Sequence, residues 1–197
     1  MISVYHLKPA FQKFLQPVLH WLYKIGVTAN QLTLVAIILS VAMGFCFSQY
    51  QIHHSALLII PIGFFLRMVL NALDGMMARQ YNMHSQLGEV LNELGDVISD
   101  ICIIFPFIII PGINPLIIVL FGVLAILNEF SGVLSKALGK GRRYDGPMGK
   151  SDRALFLGLF CLIDFFWSNI ELYANWIFGA ACAMVLLSTF TRLRKAF

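Results

Sequence analysis

Residues 71–100 read NALDGMMARQYNMHSQLGEVLNELGDVISD, in a chain that is otherwise mostly apolar. Long apolar segments lie on both sides of this stretch. Carboxylates are costly inside an apolar membrane bundle, so a concentration of them between such segments indicates a functional site. The chain has 10 Asp and Glu residues in all, and half of them fall here: Asp74, Glu89, Glu93, Asp96 and Asp100.

The overall composition is typical of an integral membrane protein. Hydrophobic residues make up 59% of the 197 residues, charged residues make up 12%, and the mean hydropathy is +0.80. A soluble domain of this length does not need so much apolar surface. The formal net charge of +4 is small and the basic residues are clustered, which argues against a nucleic-acid partner.

Six apolar segments approach the length of about 20 residues that a helix needs to cross the hydrocarbon core. We therefore expect a single all-α membrane domain over residues 1–197, with a bundle of six transmembrane helices over residues 26–197. The predicted spans are Gln31–Tyr50, Ser55–Leu73, Gly95–Pro111, Pro115–Lys136, Arg153–Trp167 and Tyr173–Leu193.

The distribution of Lys and Arg predicts the orientation of the bundle. Both terminal segments are basic, and so are the connections around Arg79 and over residues 137–152. The connections around His53, around Asn114 and over residues 168–172 lack Lys and Arg. Both termini are therefore expected to face the cytoplasm.

The N-terminal segment, residues 1–25, is basic and shows apolar residues at helical spacing. This pattern predicts an interfacial amphipathic helix that precedes the bundle. A disordered tail is the alternative.

The second and third spans are predicted to present polar faces to each other. At about 100° per residue, the polar and small residues occupy a sector about 100° wide on the second span and about 140° wide on the third. The short turn at residues 80–84 makes these helices antiparallel neighbours, so the two faces can meet. The residues on the faces are Arg67, Asn71, Asp74, Gly75 and Ala78 on the second span, and Ser85, Gly88, Glu89, Asn92, Glu93, Asp96, Ser99 and Asp100 on the third.

These faces predict a cation site. Several carboxylates at close range repel one another unless a counter-charge is present, and Arg67 and Arg79 are too few to supply it. A hard divalent cation, Mg²⁺ or Mn²⁺, with oxygen ligands is the natural solution. The small residues Gly75, Ala78 and Gly88 let a ligand approach the backbone, and Arg79 offers a fork for phosphate. The alternatives are solvated carboxylates with small residues that serve helix packing, and an ion path through a transporter.

The same residues resemble the signature of the CDP-alcohol phosphotransferases, D-x2-D-G-x2-A-R-x8-G-x3-D-x3-D. All eight fixed positions stand at the right spacing, and six match in identity. The segment Gly26–Thr33, GVTANQLT, also resembles the entry to the first span of this family, so the resemblance covers nearly the whole chain. Within the family the chain looks most like a branch of bacterial inner-membrane proteins. The eight positions hold Asn71, Asp74, Gly75, Ala78, Arg79, Gly88, Asn92 and Asp96.

The resemblance implies an enzyme of phospholipid biosynthesis that moves a phosphatidyl group from CDP-diacylglycerol, or a related CDP-lipid, to a small or lipid alcohol with release of CMP. It implies Mg²⁺ or Mn²⁺ as cofactor, a homodimer, and a bacterial inner-membrane location with the active site facing the cytoplasm. Asp74 and Asp96 would be metal ligands, and Asp96 would also be the base for the acceptor hydroxyl. The cytidine diphosphate would be bordered by Gly75, Ala78, Arg79 and Gly88.

Two positions depart from the signature, because Asn71 and Asn92 stand where it has aspartates. An amide oxygen can bind a hard cation but brings no charge, so a second divalent ion is expected to bind less well. Glu93 is the first candidate to supply the missing charge as a metal ligand, and Glu89 is the second. Three outcomes remain open: a two-metal site that uses a glutamate, a one-metal site, and a non-catalytic relative that binds nucleotide-lipid.

The connection over residues 141–153, GRRYDGPMGKSDR, is basic and rich in Gly. Its basic residues are candidates to hold an acceptor phosphate or lipid head groups. An ordinary cytoplasmic loop with positive charge needs no ligand, so that interpretation stays open. The candidates are Arg142, Arg143, Lys150 and Arg153.

Two further carboxylates lie in apolar segments. Glu129, in the fourth span, is expected to face the active cavity on the acceptor side, or to hydrogen-bond a neighbouring helix. Asp164 lies near the opposite end of the bundle and is expected to be solvated.

Overall fold

The structure is a computed structural model that describes residues 8–197, with side-chain surroundings from residue 11 onward. It is 81% helix, and no strand occurs in the part described, which confirms the all-α prediction. Short 3₁₀ segments over His54–Leu58, Phe105–Ile109 and Ser168–Tyr173 join some of the helices. The seven α-helices are α1 (Lys8–Lys24), α2 (Ala29–Phe47), α3 (Ile59–Gln80), α4 (Gln86–Ile104), α5 (Pro115–Ala137), α6 (Lys150–Phe166) and α7 (Ala174–Arg194).

Four helical stretches are long and apolar enough to cross a membrane: Ala29–Phe47, His54–Gln80, Pro115–Ala137 and Ser168–Arg194. The helix α4 carries four carboxylates and α6 has only 17 residues, so these two do not reach the same length and composition. The number of six spans and the cytoplasmic position of both termini therefore remain predictions.

The third predicted span, Gly95–Pro111, lies in a helix that begins earlier and ends earlier than the apolar pattern indicates. The helix α4 begins at Gln86, where the Ser85 hydroxyl accepts a hydrogen bond from the Gly88 backbone N–H at 2.9 Å. Such a cap satisfies a donor that the first turn of a helix leaves free. The helix ends at Ile104 and continues as the 3₁₀ segment Phe105–Ile109. The charged turns before Gly95 are thus part of a regular helix that carries the polar face.

The helix α1 packs along the bundle with one side and exposes the other. Leu15 and Leu19 are buried against Met77 of α3, whereas Phe14 and Trp21 are 78% and 60% exposed. This division suits a helix that lies in the membrane interface, although its position at a membrane surface stays a prediction. The first seven residues of the predicted interfacial segment lie outside the described residues.

The main apolar core joins α5, α6 and α7 with the 3₁₀ segment Phe105–Ile109. The ring of Phe178 in α7 lies 5.2–5.8 Å, between centroids, from four other phenylalanine rings. Edge-to-face pairs at this spacing are favourable beyond the area that they bury. The four partner rings belong to Phe107, Phe121, Phe156 and Phe160.

The helices α2 and α4 approach closely because Gly44 has no side chain. A Cβ atom at Gly44 would lie 2.0 Å from the backbone oxygen of Cys102. Because that atom belongs to the backbone, a larger residue can be accommodated only if the two helices move apart.

We predict that Gly44→Ala destabilises the fold by about 1–3 kcal/mol through this overpacking. The matched control is Gly179→Ala in α7, where an added Cβ meets nothing within 4 Å; we expect it to be neutral or slightly stabilising because Ala favours helix. Thermal unfolding of the purified proteins in detergent measures both. Equal melting temperatures for the two variants would contradict the close approach of α2 and α4.

The topology prediction is checked with reporter fusions. Reporters placed after Lys150 and after Phe197 are expected to report the cytoplasm, and reporters near His53 or Asn114 the opposite side. A reporter after Lys150 that reads the opposite side would overturn the predicted orientation.

Candidate active site

The polar faces of α3 and α4 meet across a small cavity, together with the side of α2. Asn71 from α3 and Asn92 and Asp96 from α4 all line this cavity, as the helical spacing predicts. Asp74 is 8% exposed and accepts a hydrogen bond from the Thr33 hydroxyl of α2 at 3.0 Å. The other lining residues are Thr33, Ala36, Ile37, Arg67, Gly95 and Ser99.

Asp96 is held between two cations. The Lys150 ammonium donates to its Oδ1 atom, and Nη2 of Arg67 lies 3.4 Å from the same atom. Asp96 is 9% exposed and Arg67 is 4% exposed. Such partners offset the cost of burying a charged carboxylate. The first residue of α6 is thus part of the environment of a carboxylate on α4.

A second set of ion pairs lies beside the first and is centred on Arg153, which is 1% exposed. The Nη2 atom of Arg153 lies 2.5 Å from Oδ2 of Asp100 in α4 and 2.9 Å from Oε1 of Glu129 in α5. Its Nη1 atom donates to the backbone oxygen of Met148 at 3.1 Å. Arg192 of α7 also lies 3.8 Å from Glu129. The oxygens of Glu129 are thus bound by arginines, and Glu129 is not among the residues that line the cavity. That it faces the active cavity on the acceptor side stays a prediction.

Arg142, in the connection between α5 and α6, binds one carboxylate on α4 and one on α5. Its Nε atom lies 2.9 and 3.1 Å from the two oxygens of Glu93, and its Nη2 atom lies 2.6 Å from Glu129. Gly132 makes room for this contact, because a Cβ there would lie 1.6 Å from Nη1 of Arg142. Burial disfavours the charged form of Arg142, but the hydrogen bonds to Glu93 and Glu129 raise its pKa overall.

These contacts correct one step of the sequence argument. That argument counted only Arg67 and Arg79 as counter-charges for the carboxylates, and the count is wrong. The connection after α5 and the helices α6 and α7 bring four more cations to the carboxylates of α4 and α5: Arg142, Lys150, Arg153 and Arg192.

Arg143 differs from the other basic residues proposed for the acceptor, because its carboxylate partner lies in its own connection and not on α4 or α5. It lies 3.9 Å from Asp145, which in turn lies 2.5 Å from Lys195. The hydrogen bond from Lys195 lowers the pKa of Asp145. The contact therefore contributes above the unfolded pKa of Asp145 and is lost as the pH falls through the lower folded pKa. All four basic residues proposed for the acceptor contact a carboxylate in this structure. Their binding of an acceptor phosphate stays a prediction.

The small residues of the motif have different surroundings. The Arg79 guanidinium lies over Gly75: a Cβ atom at Gly75 would be 3.2 Å from Nη1 of Arg79. At Gly88 a Cβ would lie 2.7 Å from Oδ1 of Asn30, so Gly88 permits the close approach of α4 to the start of α2. Ala78 is half-buried and packs against the apolar cluster formed by α1, α2 and α3.

At the opposite end of the bundle, the expectation for Asp164 is wrong. Asp164 is fully buried, and neither carboxylate oxygen has a hydrogen-bond partner in the described part of the chain. The α6 helix packs there against the 3₁₀ segments His54–Leu58 and Ser168–Tyr173. These segments cover a side chain that the sequence places only at the end of an apolar run.

The sequence profile of the family described as CDP-alcohol phosphatidyltransferase matches residues 26–187. The chain belongs to the CDP-alcohol phosphatidyltransferase family. It is 41% identical over 194 residues to the inner membrane protein YnbA of Escherichia coli strain K12, covering 98% of this chain and 96% of that protein.

Two crystal structures of a phosphatidylinositol phosphate synthase, PgsA1 of Mycobacterium tuberculosis, share the fold. One contains CDP-DAG; it has a TM-score of 0.76 and 17% identity, and the match covers 91% of this chain and 92% of that one. The other contains manganese and citrate; it has a TM-score of 0.75 and 18% identity, and the match covers 91% of this chain and 87% of that one. The membership of the family agrees with phosphatidyl transfer in lipid synthesis.

Within the family motif, the donor atoms of this chain suit a hard cation but are few. Asp74 and Asp96 provide carboxylates, and Asn71 and Asn92 provide neutral amide oxygens. In the part of the chain that the structure describes, no group of three or more His, Cys, Asp or Glu side chains is arranged to hold a metal. That these two carboxylates and two amides hold a cation therefore stays a prediction.

We predict that the Arg153 ion pairs stabilise the fold strongly. Arg153→Met leaves Asp100 and Glu129 short of a buried partner, and we expect a loss of about 3–5 kcal/mol. Lys136→Met is the control, because Lys136 and Glu89 form an exposed pair at 2.7 Å that is worth about 0–1 kcal/mol.

Thermal unfolding in detergent measures both variants. Adding Asp100→Asn to Arg153→Met is expected to restore part of the loss, since Arg153 is the cation that pairs with Asp100 and the second change removes the charge left without it. An Arg153→Met protein as stable as Lys136→Met would show that the buried pairs do not hold the bundle together.

Proposed function

We propose that the protein transfers a phosphatidyl group from CDP-diacylglycerol, or a related CDP-lipid, to an alcohol acceptor and releases CMP. The observation that carries the proposal is the meeting of Asn71, Asn92 and Asp96 in one cavity beside Asp74, at the spacing of the family motif. Support for the donor comes from PgsA1, whose fold this chain shares and whose crystal structure contains CDP-DAG.

The reaction needs one bond to form and one to break. The acceptor oxygen attacks the phosphorus on the lipid side, the bond from that phosphorus to the bridging oxygen breaks, and CMP leaves with that oxygen. Asp96 accepts the proton of the attacking hydroxyl. Its place in the lining of the cavity supports this role.

The other motif residues position the donor. Gly75 and Ala78 leave room for the cytidine diphosphate, Arg79 lies over Gly75 with an exposed guanidinium that suits a phosphate, and Gly88 holds α4 against α2. A divalent cation, Mg²⁺ or Mn²⁺, would be held by Asp74 and Asp96 with Asn71 and Asn92, and would neutralise charge on the phosphates. Glu93 is the further ligand that the motif leaves open, although Arg142 holds both its oxygens here.

The acceptor is assigned to the basic connection and the start of α6. In this proposal Arg142, Arg143, Lys150 and Arg153 attract the acceptor or its phosphate, and Glu129 orients the arginines. The cluster carries charges of both signs, so an anionic acceptor competes with carboxylates that are already bound.

We further propose that residues 1–197 form one domain in the bacterial inner membrane, with the cavity facing the cytoplasm. YnbA is named an inner membrane protein, and four of the described helical stretches are long and apolar enough to span a membrane. Membrane lipids are the expected surroundings, and a homodimer is proposed from the family resemblance.

A second candidate is a non-catalytic relative that binds nucleotide-lipid without turnover. The asparagines at positions 71 and 92 and the contact of Lys150 with Asp96 favour it, because both reduce the negative charge that holds a cation. A cation-coupled transporter fits less well, since the buried core around Phe178 is apolar.

We predict that Asp96→Asn lowers the rate of CMP release from CDP-diacylglycerol by at least about 100-fold, because the site loses its base and a cation ligand. Glu171→Gln, which changes a carboxylate that contacts Tyr50 at the far end of the bundle, is expected to leave the rate within a few-fold. Melting temperatures show whether each variant folds. A folded Asp96→Asn protein with a near-normal rate would refute the role of Asp96.

A further inference from the structure

The glutamates near the cavity do not replace the two missing aspartates. Both oxygens of Glu93 are bound by Nε of Arg142, at 2.9 and 3.1 Å. Glu89 is exposed and pairs with Lys136 at 2.7 Å, two turns before Asp96. No glutamate therefore supplies the negative charge that aspartates at positions 71 and 92 would bring to the cavity.

A lysine stands beside the carboxylate that remains. The Lys150 ammonium contacts Asp96 and is partly buried, with 27% of its side chain exposed. It is the first residue of α6, and Arg153, in the next turn, anchors this helix to Asp100 and Glu129. The backbone that carries Lys150 is thus held in place by buried ion pairs, so the contact is a built feature of the fold.

The charges of two carboxylates and two basic side chains at the cavity cancel without a metal ion. Asp74 and Asp96 carry one negative charge each, and Arg67 and Lys150 carry one positive charge each. One divalent cation would leave two positive charges, which match the about two negative charges on the pyrophosphate of a CDP-lipid. Aspartates at positions 71 and 92 would add two negative charges, which a second divalent cation would balance.

We infer that the site takes a single divalent cation, and that the Lys150 ammonium supplies the fixed positive charge that a second cation would otherwise bring to the pyrophosphate. This inference rests on the proposed function. It assigns Lys150 to the donor phosphates and leaves Arg142, Arg143 and Arg153 for the acceptor. It also explains how a site with Asn71 and Asn92 balances the charge of a CDP-lipid.

The first test counts bound Mn²⁺ at saturation, with CDP-diacylglycerol present, by equilibrium dialysis and metal analysis of the full-length protein in detergent. The wild type is expected to bind one Mn²⁺ per chain. The triple variant Asn71→Asp/Asn92→Asp/Lys150→Met is expected to bind two, because it exchanges a fixed cation for two carboxylates. Two Mn²⁺ in the wild type, or none, would overturn the inference.

The second test separates Lys150 from the other basic residues of its connection. Lys150→Met is expected to tighten Mn²⁺ binding by about ten-fold or more, since a like charge leaves Asp96, and to slow CMP release by about 10–100-fold. Lys150→Arg keeps the charge and is expected to keep the count of one, with a smaller loss of rate. Lys140→Met, an exposed lysine nearby, is the control and is expected to change neither quantity.

The rescue decides the role of the charge. Adding Asn71→Asp and Asn92→Asp to Lys150→Met is expected to recover CMP release in excess Mn²⁺, as a coupling that the single variants do not show. Unchanged Mn²⁺ affinity in a folded Lys150→Met protein would overturn the inference. Absence of CMP release from the wild type with every acceptor would instead overturn the proposed function, while the Mn²⁺ count would still report on the site.

Discussion

The contact of Arg153 with Asp100 and Glu129 is the interaction on which the rest of the structure depends. All three side chains are buried, and an unpaired charge in such surroundings is strongly destabilising. Their pairing ties α4, α5 and α6 together at one end of the bundle. Because Lys150 lies one turn before Arg153, the same contact brings a cation to Asp96.

The candidate site is therefore made of two parts that support each other. The cavity between α2, α3 and α4 carries the motif residues, with Asp74 held by Thr33. The connection after α5 and the start of α6 carry the cations, and Arg142 reaches Glu93 and Glu129 only because Gly132 leaves space. Binding of a nucleotide-lipid at the first part changes the charge that the second part must balance, so donor and acceptor binding are expected to be linked electrostatically.

Much of the site could be predicted from the sequence because helical spacing determines which residues share a face. Asn71, Asn92 and Asp96 line one cavity as that spacing indicates. The partners of the carboxylates could not be predicted in the same way, since Arg142 and Glu93 are distant in the chain and meet only through packing of different helices. Asp164 shows the same limit: the apolar run around it does not tell which segments cover it.

The fold shows a similar division. Apolar length located the four strongest membrane helices, but the start of α4 was set by the Ser85 cap and by a polar face that an apolar window does not detect. The motif indicated the family, which the family profile confirms, while the two asparagines left the number of cations open. The surroundings of Asp96, with Lys150 on one side and Arg67 on the other, are the information that the structure adds.

The most direct measurement is a crystal structure of the protein with CDP-diacylglycerol and Mn²⁺, with anomalous scattering recorded at the manganese edge. The account predicts one manganese peak in contact with both Asp74 and Asp96, the pyrophosphate beside Gly75 and Arg79, and the Lys150 ammonium against a phosphate oxygen. A nucleotide bound away from the α3–α4 cavity, or manganese that contacts neither aspartate, would contradict it.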